Sequence, residues 1–153
     1  MSGASDIALA LIKKWEGCKL VAYQPVPGDV WTIGFGATGP DIQEGTRWSQ
    51  EQADADLLSR LAVLERQVDS HVTFSLFDNE LGACLSLAYN IGIRNFVDST
   101  LLVKVNEGNM YEAADEFLKW DHFHGRVLPG LLNRRKDERA VFLGQSNVEG
   151  EQV

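Results

Sequence analysis

A single glutamate, Glu16, closes an amphipathic segment of this chain. A Pro-Gly turn at Pro27-Gly28 follows, and then a strand-like run, VWTIGFG, that ends at Gly36. A carboxyl group beside a tight hairpin, with Asp29 in the turn and Thr32 just after it, suits glycosidic cleavage. That reaction needs a proton donor for the leaving oxygen and a means of stabilising or capturing an oxocarbenium-like centre. Glu16 is placed for the first task, at a helix end beside Trp15 and facing a hairpin of apolar residues. Partial desolvation of a carboxyl favours its protonated form, which is what a general acid requires. The bland alternative is a solvated glutamate at a helix terminus. Against it, a negative charge at a helix C-terminus opposes the macrodipole.

The surrounding elements follow from apolar spacing. Ile7, Leu11 and Trp15, with Ala8 and Ile12, predict a helix over 6–16 that buries one face, with Gly17 as its stop. From Lys19 to Gly36 the pattern changes. Pro27 and Gly28 hold the second and third positions of a type II turn, and the apolar residues around them predict a short β-hairpin, with a third strand before Thr46. Everything later reads as helical. Ser49 with Gln52 is a capping box that opens a helix through about Val68, with Leu57, Leu58, Leu61 and Leu64 as its buried stripe. Residues 77–91 are apolar on most sides and predict a helix through the core. Asp98 or Ser99 caps a short helix ended by Gly108, and Asn109 with Glu112 caps the next, through Trp120. Pro129 opens the last helix and Gly144 lies beyond its end. The tail, 145–153, reads as polar and frayed. The expected fold class is α+β: one domain, 1–153, with a small β-hairpin lobe at about 17–47 on a mainly α-helical body at 48–144, and a cleft between them.

Composition narrows the partners. The chain has 153 residues, 44% of them hydrophobic, enough for the core of one domain. A net charge of -8 argues against a nucleic-acid partner. Arg126, Arg134, Arg135, Lys136 and Arg139 fall within 14 positions and read either as a solvated helix face or as a local patch for an acidic polymer. There is no apolar run of roughly 18 residues, so no membrane insertion is expected. The N-terminal apolar stretch lacks the preceding basic residues of a signal peptide, which points to folding in a cytosol. Cys18 and Cys84 have neither CxxC nor zinc spacing and read as free thiols.

An ordered set of motifs resembles the phage endolysins of the T4-lysozyme type, glycoside hydrolase family 24. The pieces are Glu16-Gly17, Leu20-Val21-Ala22-Tyr23, Trp31-Thr32-Ile33-Gly34-Phe35-Gly36, and Tyr89-Asn90-Ile91-Gly92 with Phe96 and Ser99-Thr100-Leu101-Leu102. Residues 113–120 and 127–143 are also similar to this group, so the resemblance covers roughly 5–144. It implies a lysozyme-like fold and hydrolysis of the β-1,4 bond between N-acetylmuramic acid and N-acetylglucosamine in bacterial peptidoglycan, leading to host cell lysis. It further implies a monomer that needs no cofactor or metal. Such a protein waits in the host cytoplasm, and a holin or lysis gives it access to the periplasm and cell wall.

The family's catalytic set is Glu, then Asp (Cys in some members), then Thr, spaced Glu-x8-Asp-x5-Thr. By this resemblance Glu16 is the general acid and Thr32 helps position the attacking water. The aspartate does not match: Pro25 stands nine positions after Glu16 and Val26 six before Thr32, so the interval is one residue longer. Asp29 is the nearest carboxyl and the expected substitute. Strand positions three apart face opposite sides, yet Asp29 ends the turn, where that alternation need not hold. An aspartate also simply suits a turn, and Glu16 with Thr32 alone at altered activity is a third reading. Ala37 stands where many relatives carry His. Thr38, Tyr89, Ser99 and Glu116 match positions that line the family's saccharide cleft. Core packing explains Tyr89, and N-capping Ser99, equally well.

Three other readings remain open. The missing aspartate allows a catalytically weakened peptidoglycan-binding protein that keeps the cleft and loses the chemistry. A virion-associated wall-penetration lysozyme is another setting for the same reaction. His71, His122 and His124 could suggest a metal amidase, although His122-x-His124 with Asp121 sits in a presumed loop without HExxH.

Overall fold

The computed structural model describes residues 2–145. Within them lie seven helices: α1 (Gly3–Glu16), α2 (Gln50–Asp69), α3 (Asp78–Ile91), α4 (Ile93–Val97), α5 (Thr100–Asn106), α6 (Met110–Phe117) and α7 (Pro129–Phe142). Two antiparallel hairpins join them, β1 (Lys19–Tyr23) with β2 (Thr32–Gly34), and β3 (His122–Phe123) with β4 (Arg126–Val127). The expected tail from residue 146 onward lies outside the described residues.

Helix α3 is the axis of the body. Ala83, Cys84, Leu85 and Leu87 are fully buried, as its lack of a polar face predicted, and α1, α2, α4 and α7 all pack on it. Gly82 sets the approach of α1: a Cβ there would stand 2.6 Å from Ile7 Cγ2. Helix α1 begins where Ser2 accepts a hydrogen bond from the Ser5 N–H, carries Lys13 and Lys14 in its last turn, and stops at Gly17, whose φ is 70°. The capping box of Ser49 and Gln52 is formed, so that local signal was read correctly. Phe117 and Phe142 meet at 5.3 Å between ring centroids and close the far end of the core.

The first hairpin is built as its turn residues require. The Asp29 N–H donates to the Val26 carbonyl at 3.0 Å, and Gly28 takes φ 85°, the positive angle that the third position of a type II turn demands. Lys19 pairs with Gly34 and Tyr23 with Thr32, with an irregularity between. The third stretch is shorter and later than expected. It is one bridge, Val21 with Arg47, supported by bonds between Trp48 and Leu20 and between Thr46 and Ala22. Ala22, Ile33 and Ala37 form a separate small core with Trp31, Ile42 and Trp48.

The helical body is not wholly helical. The β3–β4 hairpin interrupts it because His124 (φ 53°) and Gly125 (φ 78°) both adopt positive φ, as a two-residue type I′ turn requires. Helix α4 was likewise unforeseen. It follows directly on Gly92, which ends α3 with φ 93°. Helix α6 stops at Phe117, short of Trp120, and the Asn109 side chain donates to Glu107 instead of capping it.

Candidate active site

Glu16 is the last residue of α1, and Gly17 turns the chain away immediately after it. Its carboxyl is held from below by α7: Arg134 Nη1 donates to Glu16 Oε2 at 2.8 Å. From the side, Glu16 Oε1 lies 3.4 Å from where a Cβ on Gly36 would stand. The end of the WTIGFG run therefore meets the carboxyl as bare backbone. Among the described residues Oε1 receives no protein hydrogen bond.

Arg134 is itself locked. Nε donates to Glu138 Oε2 at 3.1 Å and Nη2 to the Ser86 carbonyl at 3.4 Å. The Ser86 hydroxyl donates to the same Glu138 oxygen at 2.5 Å. Arg135 contributes Nη2 to Glu138 at 3.2 Å and Nη1 to the Trp120 carbonyl at 3.3 Å. Its Nε faces Glu138 Oε1 at 2.8 Å without hydrogen-bond alignment, a purely coulombic contact. Burial pushes the Glu138 carboxyl up and the Arg135 guanidinium down in pKa, and their mutual attraction opposes both shifts. The register of α1 on α7 is fixed one turn away, where Asp137 accepts from Trp15 Nε1 at 2.9 Å and Lys14 Nζ at 2.8 Å.

This corrects the reading of the basic segment. Arg134 and Arg135 are 4% and 0% exposed, so they form neither a solvated face nor a surface patch. They serve buried carboxylates instead. The signal was present, since Arg134 and Glu138 stand at i, i+4 on one helix. What that pair faced was not in the sequence.

A cavity of about 380 Å3 opens beside Glu16, walled by Gly36, Arg60, Val63, Ala88, Tyr89 and Gly92 among others. Gly36 belongs to this wall and is also the residue whose added Cβ would stand near Glu16 Oε1, so the cavity and the carboxyl share Gly36 as a neighbour. Tyr89 is half-buried there and donates its hydroxyl to the Phe35 carbonyl at 2.6 Å. Burial, reinforced by the Glu16 charge, pushes the phenol up to about 12. It is thus a fixed donor that braces the end of the run, not a base. Arg60, in the cavity wall, is tethered by Asp56, one turn earlier on α2, at 2.7 Å and by the Thr38 carbonyl at 3.2 Å.

The other expected site residues are placed as follows. Thr32 is 6% exposed and its hydroxyl donates to the Val30 carbonyl at 3.2 Å. Asp29 is exposed at the turn, with Oδ1 accepting the Val30 N–H at 2.8 Å. Neither is hydrogen-bonded or ion-paired to Glu16 among the described residues. Thr38 is exposed and engages Arg60 through its carbonyl, not its side chain. Ser99 is buried, its hydroxyl spent on capping α5: it donates to the Phe96 carbonyl at 2.6 Å and accepts the Leu102 N–H at 3.1 Å. Glu116 is paired with Lys119 at 2.7 Å on the surface of α6. His122 pairs with Asp121 at 2.5 Å, and among the described residues no three His, Cys, Asp or Glu side chains gather as a metal site. The amidase reading therefore lacks its third ligand.

The phage lysozyme family model matches residues 13–138. The endolysin of Acyrthosiphon pisum secondary endosymbiont phage 1 is 39% identical over 142 residues, which cover 90% of this chain and 96% of the relative. The endolysin of Bacillus phage B103 is 38% identical over 150 residues, covering 96% of this chain but 57% of the relative, so the chain spans little more than half of that protein. The SAR-endolysin of Enterobacteria phage P21 is 36% identical over 84% of this chain and 77% of its own. Among solved structures, the muramidase domain of SpmX from Asticaccaulis excentricus superposes with a TM-score of 0.81 at 38% identity, covering 89% of this chain and 94% of that one. The endolysin from Escherichia coli O157:H7 phage FAHEc1 gives 0.80 at 31% identity, covering 90% of each chain.

Proposed function

The chain belongs to the phage lysozyme family, a family of glycoside hydrolases, and on that premise we propose that it is an endolysin muramidase. In this reading it hydrolyses the β-1,4 bond between N-acetylmuramic acid and N-acetylglucosamine of peptidoglycan and so lyses the host cell. The observation that carries the proposal is the state of Glu16. One carboxyl oxygen is gripped by Arg134, and the other has no protein partner among the described residues and lies near Gly36, a residue of the cavity wall.

Glu16 is the general acid. With Oε2 held, Oε1 is the oxygen that meets the leaving glycosidic oxygen and gives it the proton. Thr32, fixed at the start of β2, orders the hairpin edge where the attacking water is positioned. Asp29 substitutes for the absent family aspartate: its Oδ1 is committed to the Val30 N–H, while Oδ2 has no protein partner among the described residues and is available to a water or to developing positive charge. Tyr89 supplies the aromatic face for a sugar. Thr38 and Glu116 are further cleft groups, and Ser99 contributes through the helix cap it makes. Residues 17–47 form a hairpin lobe that faces the helical lobe at 48–144 within one lysozyme-like domain. It acts as a monomer and reaches the wall from the host cytoplasm through a holin or at lysis.

Glu16→Gln tests the reading. Turnover of purified peptidoglycan is expected to fall by about 10²–10⁴, with the wild type releasing new reducing ends and no anhydro product. Undiminished turnover by the variant, or release of free peptide amines in place of reducing ends, would sink it.

A further inference from the structure

We infer that Glu138, which never reaches the cavity, is a positioning residue of the reaction: it aims the Arg134 guanidinium at Glu16 and balances its charge. The inference rests on Glu16 being the general acid. Arg134 has three nitrogen positions and each is committed, Nη1 to Glu16, Nε to Glu138 and Nη2 to the Ser86 carbonyl. A planar fork with two fixed points has one orientation left, so the Nη1–Oε2 bond is set by the other two. Of these, the Glu138 contact is the shorter and the charged one, at 3.1 Å against 3.4 Å. Glu138 is fixed in turn by the Ser86 hydroxyl from α3 and by Arg135 from α7. The whole chain of contacts is buried up to Glu16, whose side chain is 20% exposed.

Charge balance gives Glu138 a second role. Two guanidinium cations, Arg134 and Arg135, lie in this cluster, and two carboxyls, Glu138 and Glu16, face them. The remaining neighbour of Glu138 on α3 is Cys84, a fully buried thiol that burial holds in its neutral form, and the loop before β3 contributes only the Trp120 carbonyl. Tyr89 on α3 also feels the Glu16 and Arg134 charges and stays a neutral phenol below its raised value. With Glu138 in place, the charge of Arg134 is shared between two carboxyls and that of Arg135 is met by Glu138, so Arg134 Nη1 is left to orient Glu16.

The test is the split between kcat and KM, beside Tm, for Glu138→Gln and Glu138→Asp on soluble peptidoglycan fragments, with Glu16→Gln and Val105→Ala, the last a remote core variant for the cost of lost stability alone. For Glu138→Gln, kcat is expected to fall about tenfold or more with KM within twofold. For Glu138→Asp, which keeps the charge and shortens the reach, kcat falls less and KM again stays within twofold. Val105→Ala lowers Tm and moves neither kcat nor KM. A folded Glu138→Gln with wild-type kcat overturns the inference. Should Glu138→Gln not fold, Glu138→Asp decides: reduced kcat at constant KM supports positioning, and wild-type kcat refutes it. If Glu16→Gln retains full activity, the general-acid assignment itself fails. If it is inactive while both Glu138 variants behave as wild type, only the present inference does.

Discussion

Glu16 stands between two regions built on opposite principles. On the α7 side, Arg134, Arg135, Glu138 and Ser86 are buried and bonded to one another across α7 and α3, and through Arg134 to Glu16 of α1. On the hairpin side, Val26, Asp29 and Val30 are exposed, Val30 by 62%, and the turn is held by bonds within a few residues of itself. One region over-determines a single side-chain position, and the other leaves its carboxylate in solvent. In the proposed mechanism the proton donor is thus set among buried, mutually bonded groups. Its proposed partner, Asp29, is left to a turn that local opening reaches at low cost, since few buried contacts restrain it. The interval from Glu16 to Thr32, one residue longer than the spacing of the resembling family, spans both this turn and the irregular register of β1 between Lys19 and Tyr23.

The contrast can be broken from either side. The largest effect is expected for Arg134→Met, which takes from Glu16 and Glu138 the cation they share. Removing one member of a buried ion pair costs about 3–5 kcal/mol, so Tm should fall by many degrees and peptidoglycan turnover should be almost lost. Retention of both would mean that the α7 side is not the rigid one. Asp29→Ala should do the reverse, lowering turnover about tenfold while denaturant stability stays within about 0.5 kcal/mol, as for an exposed substitution. Turnover that survives this change intact removes Asp29 from the mechanism and leaves the hairpin as a wall only.

Gly36→Ala probes the seam between the regions. With φ at 96°, the alanine is strained by roughly 1–2 kcal/mol, and its methyl would stand 3.4 Å from Glu16 Oε1. A modest loss of stability with a larger loss of kcat is expected, and calorimetry beside initial-rate kinetics separates the two. The smallest effect is at Tyr89. Its phenol is raised from 10.0 to about 12 in the folded chain. The unfolded chain therefore loses that proton first, and the stability that this linkage contributes is full below pH 10 and declines toward pH 12. Tyr89→Phe should show a shallower alkaline fall over that interval in urea melts, and a fall as steep as the wild type's would remove Tyr89 as its source.

Where the reasoning from sequence succeeded, the determinant was local. Ser49 with Gln52 and Pro27 with Gly28 are interactions spanning three residues, and both formed as read. Helix α3 was legible because no polar face interrupts its apolar residues. The β3–β4 hairpin escaped because its turn places a histidine, not an Asn or Asp, at the first positive φ. The family of the chain was legible from motifs in order, and the family model and relatives agree. Ser99 and Tyr89 were read with two roles each. The structure shows the cap for Ser99 and a half-buried, hydrogen-bonded cavity wall for Tyr89.

By itself the sequence determined the helix stripes, the turn chemistry, the position of Glu16 at a helix end and the lack of a carboxyl at Pro25 and Val26. Those depend on neighbours within one or two turns of chain. Only the tertiary structure decided what Glu16 faces. Its partner Arg134 lies 118 positions away, and an arginine in a run of charged residues looks the same on paper whether it is solvated or buried. A guanidinium can be buried only where carboxylates and carbonyls from other elements compensate its lost hydration. That compensation is assembled when α1, α3 and α7 pack together, and no spacing within α7 encodes it.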